Sequence, residues 1–417
     1  MEDNMELKEI RERIYERLDT DEDLSDEEIR EIIDHELSSL SRKRRISLGE
    51  REIMERELFD SLRKLDVLQQ LVDDDEVTEI MINGTDHIFI EKAGELFQWD
   101  RKFESREKLE DVIQQIVGIS NRVVNEASPI VDTRLKSGAR VNIVLSPISI
   151  DGPAVSIRKF PEDPINMEKL LAFHSISEEI VAYLKVLVKS KYNVFISGGT
   201  GSGKTTFLNA LSNFIPKDER ILTIEDSAEL QIRGVPNLVR LETRNANMES
   251  VKPITIRDLI KTALRMRPDR IIVGEVRGGE CLDVLQAYNT GHDGSISTGH
   301  ANSCRDMISR LETMVLMGMD LPLPAIRAQI ASGIDILVHL GRLRDKSRKL
   351  LNVMEVNGME NGEVKLHPLY TFQETGVRNG KIEGKWIREG NLIHTEKLYA
   401  AGYSPEDLGE KPDRRSD

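Results

Sequence analysis

Gly198-Gly199-Thr200-Gly201-Ser202-Gly203-Lys204-Thr205 decides the reading of this chain. It matches G-x-x-x-x-G-K-[ST], a loop whose glycines let backbone N–H groups turn inward around phosphate oxygens. The run before it, Asn193-Val194-Phe195-Ile196, reads as a buried strand ending at Ser197, and Thr205 to Phe214 reads as a helix. The helix start adds its positive end to the cradle. In that context Lys204 is expected to reach the β- and γ-phosphates, and Thr205 to offer its hydroxyl oxygen to Mg2+. ATP and Mg2+ are the implied ligands, with Gly198, Gly199, Thr200, Gly201, Ser202, Gly203, Lys204, Thr205 and Thr206 as the binding stretch.

The neighbourhood repeats one pattern. Short apolar runs alternate with amphipathic helices: Arg220 to Ile224, Arg270 to Val273 and Gly333 to Val338 look like buried parallel strands, and Ile180, Leu184, Leu187 and Val188 like one helix face. The alternation predicts an α/β domain over 175–345 with a central parallel sheet. Hydrolysis also needs carboxylates, and two acidic positions follow strands, where an open sheet places its ligands. They are Glu225-Asp226 and Glu275. Glu275 is expected to polarise water, and Glu225 to help hold the metal. The strand before Glu275 resembles a Walker B strand, except that Gly274 stands where an Asp often precedes the Glu. His292 and His300 lie in one Gly-rich segment. If Ser295 to Thr298 is a strand, His300 emerges on the same edge as the P-loop, where it could sense a γ-phosphate. Zinc binding is the rival role, without an obvious third and fourth ligand. Arg240 and Arg244, with Arg134, Arg140 and Arg158 further upstream, are candidates to neutralise phosphoryl charge, against the ordinary alternative of surface ion pairs.

The rest of the chain divides by pattern. Residues 1–70 carry three helical stripes (Leu7, Ile10, Ile14 and Leu18; Ile29, Ile33, Leu37 and Leu40; Met54, Leu58, Leu62 and Leu65), with a capping box at Ser25 and Glu28. They predict an acidic segment and a small bundle. Residues 71–160 read as α+β, with strands near 77–82, 87–90, 140–145 and 154–158 and a helix over 105–124. Pro161 and Pro164 open a linker, 161–174, and residues 346–417 form a β-rich extension.

At 417 residues the chain is too long for one ordinary domain. No run approaches the ~18 apolar residues of a membrane span, and the acidic first forty residues lack a signal-peptide core. The two cysteines, Cys281 and Cys304, are too few for a disulfide framework. A cytosolic protein is the expectation. The formal charge of −15 speaks against a general nucleic-acid binder. However, residues 1–40 hold 16 acidic against 5 basic side chains, so most of that charge lies outside the α/β region. A basic cluster follows, Arg42-Lys43-Arg44-Arg45, and reads as a solvated linker or a docking contact.

In order and spacing, the P-loop, Thr223-Ile224-Glu225-Asp226, Gly274-Glu275-Val276-Arg277-Gly278 and the histidine segment resemble the secretion and pilus-assembly ATPases, over about residues 70–350. Within that superfamily, several runs are most similar to CpaF proteins of Tad-type pili. They are Asp132 to Leu135, Gly138 to Asn142, Ser156 to Phe160, Arg240 to Arg244 and His300-Ala301-Asn302. A four-cysteine module found in type II secretion and many pilus extension motors is missing. The resemblance implies a RecA-like motor domain preceded by a smaller α+β domain and a helical bundle, assembled as a homo-hexamer. It implies ATP between the two domains, which would change their angle on hydrolysis. Glu275 would be the Walker B glutamate, Glu225 the acidic-box carboxylate, His300 the histidine-box sensor, and the five arginines phosphate contacts, some from a neighbouring subunit. The machine would sit peripherally at the inner face of the membrane and drive platform proteins to assemble or retract a pilus. Rival readings are a type IV secretion traffic ATPase, a DNA-translocating or recombinase motor, and a non-hydrolysing scaffold that senses ATP.

Overall fold

A computed structural model describes residues 7, 9–11, 13–14, 24–92, 94–119, 122–160, 164–244 and 252–410. Leu18 of the first stripe and Pro161 of the expected linker lie outside them. The chain divides into two compact units, one running to Glu162 and the other from Asp163 onward.

The first unit begins with two capped helices, Asp26–Lys43 and Leu48–Arg63. In each, a serine (Ser25, Ser47) and the glutamate three residues on (Glu28, Glu50) form a reciprocal capping box. Ile29, Ile33, Leu37, Met54 and Leu58 close a small core with Leu7, Ile10 and Ile14. Leu65, assigned by periodicity to the third stripe, falls beyond the helix and joins a different core.

That second core lies under a six-stranded antiparallel sheet ordered β3-β2-β1-β6-β5-β4. The strands are β1 (Val77–Asn83), β2 (His87–Lys92), β3 (Glu95–Gln98), β4 (Ile130–Arg134), β5 (Arg140–Val144) and β6 (Ala154–Arg158). A register shift between Val77 and Glu79 lets Val77 face the core together with Ile80 and Ile82. The helix Arg106–Gly118 buries Leu109, Val112, Ile113 and Ile116 in the same core. It is shorter than the helical pattern suggested.

The second unit is built on a nine-stranded sheet ordered β15-β14-β13-β12-β7-β11-β10-β8-β9. Its strands are β7 (Val194–Gly198), β8 (Ile221–Glu225), β9 (Leu238–Glu242), β10 (Arg270–Val273), β11 (Ile296–His300), β12 (Ile336–Arg342), β13 (Arg348–Glu360), β14 (Glu363–Arg378) and β15 (Lys381–Arg388). β12, β7, β11, β10, β8 and β9 run parallel. β13, β14 and β15 continue the sheet antiparallel from β12, so the C-terminal strands extend the central sheet. Every residue of β7, β8 and β10 is buried, because apolar layers cover both faces of the sheet. The expectation of an α/β domain preceded by a smaller α+β domain and a helical bundle holds.

One buried ion pair ties the base of this sheet together. Arg270, fully buried, grips Glu219 with two nitrogens and donates from a third to the carbonyls of Val188 and Gly294, at 2.8 and 3.1 Å. Removing the arginine strands a buried carboxylate and two carbonyls. Arg270→Ala is expected to cost about 3–5 kcal/mol in chemical denaturation of the second unit. A loss below about 1 kcal/mol, typical of a surface pair, contradicts this role.

Candidate active site

Parallel strands in register bring their C-terminal ends to one edge. His300, the last residue of β11, stands opposite Gly198, the last residue of β7, and Val273 of β10 stands opposite Ile224 of β8. The loops that leave these strands therefore converge. Between β7 and the helix Lys204–Ser212 the P-loop turns through Gly203 at φ +93°, a left-handed conformation that favours glycine.

Lys204 opens that helix and is buried. Its Nζ donates to the carbonyls of Gly198 and Gly199, both at 3.1 Å, and lies 3.3 Å from Nδ1 of His300. Burial lowers its pKa, and the nearby Glu275 carboxylate opposes that shift. His300 reaches in two directions, because its Nε2 lies 2.6 Å from Oε1 of Glu275. Burial and then the Lys204 charge lower the His300 pKa. A neutral ring accepts from Lys204 at Nδ1 and brings Nε2 against Glu275 Oε1, an oxygen left without a hydrogen-bond partner.

The backbone around Glu275 is stitched from both sides. Gly274 N–H donates to Ile224 O at 2.9 Å, Val276 N–H to Thr298 O at 2.8 Å, and the Thr298 hydroxyl to Gly274 O at 2.7 Å. The carboxylate of Glu275 also receives Arg277, whose Nε lies 2.8 Å from Oε2 and whose Nη1 reaches Asp226 at 3.5 Å. The result is a line of contacts: Lys204, neutral His300, Glu275, Arg277 and Asp226. Arg277 was not singled out as a site residue from sequence; the only signal was an arginine two residues beyond the glutamate.

Glu225 sits differently. It ends β8, is buried, and accepts the N–H groups of Glu229 and Leu230 on Oε2, at 2.6 and 2.8 Å. Its Oε1 is buried without a hydrogen-bond partner. Burial pushes its pKa up to about 7, against those two hydrogen bonds and the Arg240 charge. The glycine at 274 has a physical reason here. A Cβ at that position would lie 3.0 Å from Glu225 Cγ, so Glu225 fills the space that a side chain from 274 would need.

The remaining expected residues are spread more widely. Arg240 lies on β9, close enough to Glu225 to lower its pKa, whereas exposed Arg244 donates to the carbonyl of Lys252 in its own loop. Neither bonds to Lys204, His300 or Glu275. His292 contacts the carbonyl of Ala287, where the helix Cys281–Tyr288 ends, a local structural role. In the first unit, Arg134, Arg140 and Arg158 occupy directly opposed positions on β4, β5 and β6, with Glu79 of β1 next in the row. Arg158 Nε lies 3.7 Å from Glu79, and Arg140 Nη2 3.7 Å from Asp132. Three guanidinium groups in one row suit an anion.

The chemistry also fits a divalent cation held mainly by phosphate and water. Among the described residues no three His, Cys, Asp or Glu side chains form a metal cluster. Thr205, in the first turn of the helix, and Glu225, with its unpartnered Oε1, would supply the few oxygen ligands that Mg2+ takes from protein.

Residues 61–383 match the family described as type II/IV secretion system protein. A putative conjugal transfer protein of Mycobacterium tuberculosis is 33% identical over 314 residues, which cover 73% of this chain and 89% of that protein. The type IV secretion system protein VirB11 of Brucella suis is 32% identical over 307 residues, covering 66% of this chain and 84% of its own length. Among solved structures, the ATPase DotB of Legionella pneumophila aligns with a TM-score of 0.50 at 22% identity, covering 70% of this chain and 80% of that one, a likeness of fold.

The position of Glu225 has a consequence for stability. Its folded pKa stands above the ordinary 4.5, so the folded protein holds the proton longer than the unfolded chain, and stability falls as pH rises from about 4.5 to about 7. In nucleotide-free protein, Glu225→Gln is expected to raise thermal stability at pH ~8, by up to about 3 kcal/mol, and to change it little at pH ~4. An equal gain at both pH values contradicts the burial argument.

Proposed function

The chain belongs to the type II/IV secretion system protein family, and from that premise we propose that it is an ATP-hydrolysing motor that drives a membrane-embedded pilus or secretion machine. The observation that carries this reading is the half-buried contact of Lys204 and His300 beside Glu275, at the mouth of a P-loop. N–H groups of the loop and the Lys204 ammonium hold the polyphosphate. Glu275 orients a water toward the γ-phosphorus and takes up its proton as the bond to ADP breaks. Arg277 and His300 keep that carboxylate in place. His300, once a γ-phosphate is bound, turns a hydrogen bond toward it and so reports whether it is present. Thr205 and Glu225 would hold Mg2+, which when bound would neutralise charge on the phosphate oxygens. Arg240 on β9, at the edge of the sheet, and Arg244 in the loop after it suit contacts to a neighbouring copy. The arginine row of β4–β6 is retained as a candidate phosphate contact.

On this reading the working form is a homo-hexamer, peripheral at the inner face of the membrane and coupled to a platform protein. Among the described residues no helix is long and apolar enough to cross a membrane. The likeness to CpaF proteins favours assembly or retraction of a Tad-type pilus. A second reading, a type IV secretion traffic ATPase, has its own support in the names of the Mycobacterium and Brucella relatives. The remaining rival, a DNA-translocating or recombinase motor, predicts instead stimulation by DNA in a salt-dependent manner.

Phosphate release by purified protein with Mg2+ and ATP tests the catalytic core. Glu275→Gln is expected to keep ATP affinity within about threefold and to lower turnover by at least ~100-fold. Lys204→Ala is expected to lose binding or turnover. Near-normal phosphate release by Glu275→Gln removes the glutamate from its role.

A further inference from the structure

Two arginines beside the P-loop have no part in the account above. β12 ends at Arg342 and β13 begins at Arg348, and the two stand directly opposite each other in the antiparallel pair. Nε of Arg348 donates to the carbonyl of Gly201, inside the P-loop, at 2.8 Å. A Cβ built on Gly201 would lie 3.9 Å from Nη1 of Arg342, and one on Gly203 would lie 3.5 Å from Cδ of Arg348. Both side chains therefore rest against the phosphate loop.

The hairpin that joins them settles its other charges internally. Arg344 pairs with Glu374, and Asp345 accepts the N–H groups of Ser347 and Ile382, at 3.0 and 2.8 Å. Among the described residues neither Arg342 nor Arg348 has a carboxylate partner, and the Arg342 side chain makes no hydrogen bond. Like charges placed directly opposite on adjacent strands repel, and an anion between them removes the cost.

Sheet order says which part of the anion. β7 lies between β11 and β12. The β11 flank carries His300, with Glu275 beyond it after β10, the groups assigned to the γ-phosphate. Arg342 and Arg348 stand on the opposite flank. We propose that they bind the nucleotide at the other end of its polyphosphate, with Arg342 contacting the α-phosphate and Arg348 fixing the loop through Gly201. This assignment rests on the nucleotide reading above.

Equilibrium binding of ATP, ADP and GTP to the full chain with Mg2+ tests it. Arg342→Ala is the decisive variant, because it breaks no hydrogen bond present in the structure. All three nucleotides are expected to bind about tenfold more weakly, by a common factor. Arg342→Lys is expected to recover part of the loss, and an unchanged melting temperature without nucleotide shows that the fold is intact. No loss for Arg342→Ala overturns the proposal. So does a loss confined to ATP, which marks a γ-phosphate contact, or a changed ATP-to-GTP ratio, which marks a base contact. Wild-type protein that binds none of the three overturns the nucleotide reading itself, a distinguishable result.

Discussion

A buried lysine constrains this molecule more than any other group. Lys204 loses water when the P-loop closes over it, and its nearest acceptors are two carbonyls of its own loop and a histidine ring. Partial acceptors do not replace hydration of a full positive charge, and its lowered pKa records the shortfall. The site is thus prepared for an anion that brings several oxygens at once. His300, Glu275 beyond it and the arginines on the other flank are all arranged around that one cation.

The sheet makes the arrangement possible. Four parallel strands with aligned ends deliver Lys204, Glu225, Glu275 and His300 to one edge, and the Arg270–Glu219 pair closes the opposite end of β10. The two glutamates then divide the work through their surroundings. Glu275 sits between His300 and Arg277, which hold its carboxylate in place. Glu225 is buried against Gly274 with one oxygen unpartnered, so its protonation lies near neutrality until a cation arrives. Two carboxylates of the same type, one residue apart in the sheet register, can serve different purposes for this reason.

Much of the site could be read locally, and what could not depends on long-range register. The P-loop, the solid apolar strands and the acids that follow them are written in consecutive residues, and His300 emerges where the strand reading put it. The glycine at 274 looked like a missing metal ligand. Only the neighbouring strand explains it, because Glu225 comes from 49 residues upstream. Arg342 and Arg348 were invisible as a pair, since their approach to Gly201 requires knowing that β12 lies beside β7. The C-terminal strands, with their Gly-rich turns, read as an extension, yet they lengthen the central sheet. Leu65 kept the helical period and still left the bundle, because the helix ends at Arg63.

The central claim is that Lys204 and His300 form a phosphate receptor joined directly to the carboxylate that drives hydrolysis. A structure of the protein with Mg2+ and a non-hydrolysable ATP analogue tests this most directly. The account expects β- and γ-phosphate oxygens within hydrogen-bonding distance of Lys204 Nζ, and His300 turned toward the γ-phosphate. An analogue bound elsewhere, with Lys204 still closed onto Gly198 and Gly199, contradicts it.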